Sequence, residues 1–303
     1  MAQKMHLNRI SLEDKELFDN YLRISPHYLG AYAFESIYIW KNLYDILWLK
    51  LKNTLFVFFK DKFGIFLYLD LLSENKDPLL VKEAFRIMNY YNKNRLISRI
   101  ENVEELEVNF YKEHGFKVKE KFFDYLYLKE ALINLSGKKF KTKRNLLNFF
   151  LKSYKFKVFD YSSEYKDSCI NLYKEWAELR KRRYKDQIYQ HLLNDNLLAL
   201  EVLLENYNYL NYQGLLVEIE DKICAFSFGY PLNKETFCIQ YEIADLKIKG
   251  LAQFIFWFFC RRLDSYKYIN TLDDSGLKNL RYTKLSYRPV KLVSNFIITQ
   301  NEN

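Results

Sequence analysis

The pattern of apolar and polar positions in the first half of the chain predicts helices, then a group of strands. Ser11 can cap a helix over residues 11–23, and residues 33–44 show a second helical period. Three runs rich in β-branched and aromatic residues follow, DILWLKLK, TLFVFFK and FGIFLYLDLL, and are typical of an antiparallel meander. We then expect a helix over 78–92, a strand RLISRI, a helix over 102–113 and a strand KVKEKFFDYLYL.

The second half repeats this order of elements without a repeat of residues. A strand over 155–161 and helices over 163–181 and 185–206 precede three meander strands, YQGLLVEIED, KICAFSFGYPL and TFCIQYEIAD. A helix from Gly250, a strand YKYINTL, a short helix and a last strand VKLVSNFII complete the pattern. We therefore predict an α/β (α+β) protein of two domains with mixed, largely antiparallel sheets, residues 1–136 and 137–303, joined near Ser136–Gly137.

Composition permits a large core and favours anionic partners. The 303 residues are 49% hydrophobic and 18% aromatic, and the formal charge is +9. A positive surface attracts RNA, phosphorylated cofactors or acidic lipids. The abundance of Lys, Asn, Ile, Tyr and Phe is also what an A/T-rich coding bias produces, so scattered lysines fit a solvated surface equally well.

Several classes of site are excluded. The four cysteines form no CxxC pair or zinc-module spacing, the four histidines lie in no HExxH or Ser-His-Asp context, and no Walker A or GxGxxG sequence occurs. We therefore predict no metal and no certain cofactor. The chain starts with no signal peptide, and its most apolar run, LAQFIFWFFC, is far shorter than the roughly 20 residues that span a bilayer. These features predict a soluble, cytoplasmic protein with no transmembrane segment and leave its oligomeric state open.

The stretch TLDDSGLKNLRYTKLSYRP, residues 271–289, combines acids and cations in one short helix. Asp274 or Ser275 can cap this helix, and Arg281 and Lys284 lie three residues apart on one face that Tyr287 continues. One interpretation is a structural helix held by an Asp–Arg ion pair. The other is a pocket at the end of the YKYIN strand. There Asp273 or Asp274 would bind an amine, and Arg281 and Lys284 would bind a phosphate or carboxylate.

Two basic segments are candidate contacts for an RNA or an anionic membrane surface. GKKFKTKRN has five cations within residues 138–144, and RKRRYK has five within residues 180–185. Solvated faces are the alternative interpretation. The candidate contact residues are Lys138, Lys139, Lys141, Lys143, Arg144, Arg182 and Arg183.

The order of helices, meander, helix, strand, helix and strand resembles the GNAT acyltransferase fold, here in tandem. In that fold the helix after the meander starts with a phosphate-binding turn of type Q/R-x-x-G-x-G/A, and the matching place here reads KIKGLA, residues 247–252. Lys249, Gly250 and Ala252 could bring backbone N–H groups to an anion at the positive end of the helix. The first position of the turn is Lys247 here, where Gln or Arg is typical. The alternative interpretation is therefore that Gly250 is only the boundary of the helix.

Three segments, GKKFKTKRNLLNFFLKSY, YEIADLKIKGLAQF and YINTLDDSGLKNLRYTKLSYRP, resemble a bacterial family related to the C-terminal domain of phosphatidylglycerol lysyltransferase. The resemblance implies tandem GNAT-like domains related to Fem-type aminoacyltransferases. It further implies an enzyme that moves an aminoacyl group from a charged tRNA to an amine or hydroxyl, on a lipid headgroup or a peptide. The site it implies comprises Asp273, Asp274, Arg281, Lys284 and Tyr287 as catalytic residues, with Glu242, Lys249, Gly250 and Ala252 binding the ligand.

The chain departs from the family pattern at two places. It has Asn270-Thr271-Leu272-Asp273-Asp274 where Asn-Arg-Glu and an acid are typical, and Ile243 where a lysine is common, so an expected cation and an expected acid are missing. Two other functions therefore stay open. One is an N-acyltransferase using acyl-CoA, with its pyrophosphate on the Gly250 turn. The other is a GNAT-like module that binds RNA or membrane without catalysis.

Overall fold

The computed structural model describes residues 5–301, which form two compact units. The first unit comprises residues 5–124 and 293–301, and the second comprises residues 125–292. Each combines helices with a largely antiparallel sheet, as predicted. None of the helices within the described residues is long and apolar enough to cross a bilayer.

Residues 8–128 contain four helices and six strands. The helices are α1 (Lys15–Leu22), α2 (Phe34–Tyr38), α3 (Pro78–Tyr91) and α4 (Val108–Glu113). The strands are β1 (Asn8–Arg9), β2 (Asp45–Leu51), β3 (Thr54–Lys60), β4 (Ile65–Leu67), β5 (Ile100–Glu104) and β6 (Lys117–Leu128).

Residues 129–299 contain six helices and six strands. The helices are α5 (Lys129–Asn134), α6 (Lys141–Ser153), α7 (Lys166–Arg183), α8 (Gln187–Glu205), α9 (Leu251–Arg262) and α10 (Lys278–Leu285). The strands are β7 (Lys157–Asp160), β8 (Gln213–Ile219), β9 (Lys222–Pro231), β10 (Thr236–Ala244), β11 (Tyr268–Asn270) and β12 (Lys291–Thr299).

The strand order in the first unit is β1-β2-β3-β4-β5-β12-β6, and in the second it is β6-β11-β10-β9-β8-β7. Strand β6 contributes its last four residues, 125–128, to the second unit. The pairs β4–β5 and β10–β11 are parallel. Helices α7 and α9 both pack on β9 and β10, and eight consecutive residues of β9 are buried, so both faces of this strand are covered.

The predicted division at Ser136–Gly137 does not coincide with the boundary between the two units. The last strand predicted for each half pairs elsewhere: the end of β6 pairs with β11, and β12 pairs with β5. Strand pairing therefore moves the boundary to 124/125 and assigns residues from Val293 onward to the first unit.

The predicted helix over 102–113 is wrong at its beginning. Residues up to Glu104 belong to β5, because Val103 is buried in the sheet and pairs with Phe296 of β12. Asn102 takes a positive φ of 54° there and donates from its amide to the Tyr68 carbonyl, 2.8 Å away. The helix α4 itself begins at Val108.

Candidate active site

An irregularity in β10 marks the centre of the candidate site. Ile239 pairs with Gly229 of β9 and Tyr241 with Phe228, so Gln240 is the extra residue of a β-bulge. Glu242 follows the bulge and is exposed, although its strand neighbours Tyr241 and Ile243 are buried. The strand therefore presents one solvent-accessible carboxyl group between two buried neighbours, and we call its surroundings, with Lys143, Lys284 and Tyr287 nearby, the recess.

The Glu242 carboxyl group forms no hydrogen bond or ion pair with any other described residue. Solvent reaches the side chain, yet the surrounding protein atoms make desolvation the largest influence on its acidity. Desolvation raises the pKa of Glu242 to about 8, against the attraction of Lys143 and Lys284. A carboxyl group with this pKa exchanges its proton near neutral pH, as a general acid or base must.

Lys143 belongs to the site through the inward face of α6. The half-buried Nζ atom lies 4.0 Å from the centroid of the Tyr287 ring, and burial lowers the pKa of Lys143 while Glu242 opposes this shift. The Tyr287 ring packs edge-on against Phe256 of α9 at 4.8 Å. Burial and nearby Glu242 raise the pKa of Tyr287, so its hydroxyl group stays protonated.

Asp274 and Arg281 form an ion pair between the end of β11 and α10. Arg281 Nε donates to Asp274 Oδ2 at 2.8 Å, and the Asp274 side chain is only 2% exposed. The Tyr125 hydroxyl group and the Gly276 N–H group also donate to this carboxylate. Burial raises the pKa of Asp274, but the donors outweigh it and leave the pKa below its usual value. The pair that the sequence offered as a structural alternative is therefore present.

Lys284 holds the chain that leads from β11 to α10. Its Nζ atom donates to the carbonyl oxygens of Thr271, Leu272 and Asp273, the last two at 3.1 and 2.6 Å. The ammonium group thus satisfies the backbone of the corner and stays near enough to Glu242 to influence its pKa. Asp273 accepts from the Ser275 N–H group at 2.8 Å, which makes it a turn residue.

The turn before α9 is closed by the protein itself. Gly250 has φ +86°, and a Cβ atom there would lie 2.2 Å from the Leu146 carbonyl oxygen of α6. The ring of Phe150 stacks on Phe254 at 4.7 Å, and exposed Lys249 lies over the Phe149 ring at 4.6 Å. Because a backbone carbonyl of α6 lies where a Cβ atom of residue 250 would be, this glycine permits α6 to pack closely against the turn.

The basic segments divide between structural and exposed positions. Arg144 donates to the carbonyl oxygens of Leu135 and Gly137 and so holds the end of α5. Arg144 and Lys143 are half-buried, whereas the other residues of the predicted contact set are exposed, namely Lys138, Lys139, Lys141, Arg182 and Arg183.

A separate cavity of about 610 Å³ lies between α7 and the turn that follows β10. Its lining shares no residue with the recess around Glu242, and its charges are of both signs; Lys222, for example, pairs with Glu175 at 3.2 Å. The recess has the carboxyl group that no described residue pairs, with its pKa raised, and is therefore the candidate active site. Across residues 5–301, no three His, Cys, Asp or Glu side chains are grouped as metal ligands.

Both units have the helices and the largely antiparallel sheet expected of a GNAT-like fold, and the second unit carries the candidate site. The chain belongs to the family described as phosphatidylglycerol lysyltransferase, C-terminal, whose model matches residues 22–299. The resemblance stated from the sequence is thereby confirmed. A relative in Mycoplasmoides gallisepticum, an uncharacterised protein, is 26% identical over 195 residues. That match covers 60% of this chain and only 57% of the relative.

Solved structures share this architecture over nearly the whole chain. A conserved protein of unknown function from Bacteroides thetaiotaomicron is 25% identical with a TM-score of 0.86, over 97% of this chain and 99% of that one. L-PGS from Bacillus licheniformis is 17% identical with a TM-score of 0.66, over 96% and 93%.

Two further structures connect the chain with the wider fold. FemX is 10% identical with a TM-score of 0.64, over 97% of both chains. A tandem GNAT protein of the clavulanic acid biosynthesis pathway is 8% identical with a TM-score of 0.54, over 98% and 99%. The predicted tandem GNAT-like fold is confirmed, and at these identities the likeness concerns the fold alone.

Proposed function

We propose that the protein is an aminoacyltransferase that moves an aminoacyl group from a charged tRNA to a hydroxyl or amine acceptor. The observation that carries this proposal is the Glu242 carboxyl group, unpaired in the recess with a pKa of about 8 and with Lys143 beside it. The family description and the likeness to L-PGS support the aminoacyl donor and a lipid headgroup such as phosphatidylglycerol as acceptor. A peptide amine is the other acceptor that this chemistry accommodates.

Glu242 acts as the proton carrier of the transfer. Its carboxylate takes the proton from the acceptor hydroxyl or amine as the acceptor attacks the ester carbonyl carbon of the aminoacyl group. The new bond to the acceptor forms, the ester bond to the tRNA ribose oxygen breaks, and the Glu242 carboxylic acid returns the proton to that oxygen. Atoms and charge balance without a cofactor, and holding the two substrates together lowers much of the barrier.

Lys143 stabilises the negative charge that develops on the carbonyl oxygen during the attack. Its ammonium group is half-buried and has no hydrogen-bond acceptor among the described residues, so it is available to a ligand. The Asp274–Arg281 pair and Lys284 act indirectly, because their hydrogen bonds fix the corner after β11. Tyr287 supplies the ring against which Lys143 rests.

The experiment compares Glu242→Gln with Glu235→Gln. Glu235 is an exposed acid just before the same strand, seven residues away from the recess, and provides the matched control. The full chain is incubated with tRNA charged with radiolabelled amino acids and with phosphatidylglycerol vesicles or an amine-bearing peptide. We expect labelled acceptor from the unaltered protein and from Glu235→Gln, and a rate lower by about 10²–10⁴-fold for Glu242→Gln.

Two outcomes would overturn the proposal. Equal transfer rates for Glu242→Gln and Glu235→Gln would remove Glu242 from the chemistry. Release of thiol from acyl-CoA with no consumption of charged tRNA would assign the protein to the acyl-CoA class. Absence of both reactions would leave the non-catalytic binding module.

A further inference from the structure

The outward face of α6 carries a line of polar side chains that the recess does not use. Lys141, Asn145, Asn148 and Lys152 are spaced by four, three and four residues and therefore lie along one face of the helix. All four are exposed. We call these four residues the α6 strip; it extends about 16 Å along the helix axis at 1.5 Å per residue.

The strip lies in a wholly cationic part of the chain. From residue 131 to residue 159 the sequence has eight Lys and Arg residues and no Asp or Glu. None of the four strip side chains has a hydrogen bond or ion pair with any residue that the structure describes. The strip thus combines uncompensated positive charge with two amides that can both donate and accept hydrogen bonds.

We propose that the α6 strip binds the sugar–phosphate backbone of double-stranded RNA, next to a single-stranded 3′ end. This inference rests on the proposed function, because it assigns a docking surface to the RNA donor. Lysine side chains bind phosphates, and asparagine amides can bind both phosphates and 2′-hydroxyl groups. Such contacts recognise the shape of an RNA helix and not its sequence, which suits a donor that carries its aminoacyl group beyond the duplex.

The arrangement of the helix favours RNA over a lipid bilayer. A helix that lies in a membrane interface places its apolar residues at the centre of the outward face. Here the centre of the outward face is polar. At about 100° of rotation per residue about the helix axis, the exposed Phe149 and Leu151 lie about 70° and 90° from that centre, on opposite sides. One face of the Phe149 ring is also covered by Lys249.

The same helix connects the strip to the recess. Lys143 projects from the inward face of α6 toward Tyr287, whereas the strip lies on the opposite face. The two faces are separated by about the 10–12 Å diameter of a helix with its side chains. A few unpaired nucleotides cover that distance, so a duplex on the strip can deliver its 3′ end to Glu242.

The experiment measures binding of an uncharged RNA hairpin with a single-stranded 3′ end, because binding of this probe requires no transfer. The double variant Lys141→Ala/Lys152→Ala is compared with Lys117→Ala/Lys119→Ala, which removes two exposed cations outside both basic segments. We expect the strip variant to bind the hairpin roughly tenfold or more weakly and the slope of log K against log salt to fall by about 0.9 per lost phosphate contact. The Lys117→Ala/Lys119→Ala variant should bind almost as the unaltered protein does.

A second variant and a second probe complete the test. Asn145→Asp/Asn148→Asp should reduce hairpin binding while the circular dichroism melt stays unchanged, because both positions are exposed. Equal binding by all variants, or loss of binding to phosphatidylglycerol vesicles but not to RNA, would overturn the inference. Glu242→Gln should bind the hairpin normally. Loss of hairpin binding by the strip variant would therefore support this inference even if transfer failed to depend on Glu242.

Discussion

The two units differ in how they pair the acids near their third meander strands. In the first unit, Asp70 follows β4, is 4% exposed, and accepts from Tyr111 and from Lys76. Lys76 also pairs with Glu107 at 2.6 Å. In the second unit, Glu242 lies within β10 and is exposed, and no other described residue donates to it.

Glu104 in the first unit, like Asp70, accepts hydrogen bonds from other residues of the protein. It lies at the end of β5, where its carboxylate accepts from His27 at 2.8 Å and from the N–H groups of Tyr28 and Leu29. Burial raises the pKa of Glu104, but these donors outweigh burial and leave the pKa below its usual value. Desolvation raises the pKa of Glu242, and no described residue donates a hydrogen bond to its carboxylate to offset this effect.

The comparison distinguishes Asp70 and Glu104, which accept hydrogen bonds within the fold, from Glu242, which is accessible to a ligand. A buried carboxylate with two or three donors is satisfied by the protein and gains nothing from a ligand. A carboxyl group in an accessible recess without donors remains free to exchange a proton with a ligand. The same order of elements thus carries a closed polar network in one unit and an open site in the other.

The largest effect that we predict tests the closed network. Lys76→Met should lower the free energy of unfolding by about 3–5 kcal/mol, because Asp70 and Lys76 are only 4% and 12% exposed and the acid would lose its counter-charge. Denaturant melts measure this loss, and transfer per folded molecule should not change. Lys52→Met removes an exposed partner of Asp77 and should leave the melt unaltered. Similar losses for both variants would contradict the distinction between the two pairs.

A smaller loss of stability is expected for Arg281→Ala in the second unit. The Arg281 side chain is 46% exposed, and Asp274 keeps the Tyr125 and Gly276 donors after the change. Because the paired Asp274 has a lowered pKa, its contribution is present above the ordinary value of 3.8 and is lost as pH falls below it. Melting temperatures of the variant and the unaltered protein should therefore differ at neutral pH and converge in acid. A gap that widens in acid would contradict this account.

The sequence predicts the elements and the family well because these depend on local periodicity. The meander strands, the helix after Gly250 and the cationic segment that starts α6 all follow from patterns within ten or twenty residues. The pairing of the end of β6 with β11, and of β12 with β5, cannot be predicted from such patterns. It depends on which distant strands pair. For this reason the boundary of the compact units differs from the predicted division at 136/137.

The recess was only partly predictable. The family resemblance indicates Glu242 as a site residue. It cannot show that Glu242 lacks hydrogen-bond partners, because this depends on which distant helices and strands surround it. Lys143 was assigned to the RNA-binding set, although it lies on the same helix face as Leu147 and Phe150, which signals an inward position. Lys284 was expected to bind a ligand, but three carbonyl oxygens of the corner accept from it, an arrangement that no spacing of residues reveals.

The last predicted effect concerns stability as a function of pH. The folded protein holds the Glu242 proton more tightly than the unfolded chain does, because the pKa rises from 4.5 to about 8 on folding. Over that interval the native state binds more protons, so the free energy of unfolding falls as pH rises, and the contribution of the protonated group is lost above pH 8. This sign is opposite to that of Asp274 and Glu104, whose pKa values are lowered.

Glu242→Gln should remove this dependence, because glutamine stays neutral at every pH. Its stability relative to the unaltered protein should increase between about pH 5 and about pH 8.5. Glu235→Gln, at an exposed position before β10, should keep the pH dependence of the unaltered protein. Subtracting the two pH series isolates the contribution of Glu242, because the two variants otherwise share the same chain. A constant difference across the range would mean that Glu242 is already ionised at pH 5, and the contrast with Asp70 and Glu104 would then rest on geometry alone.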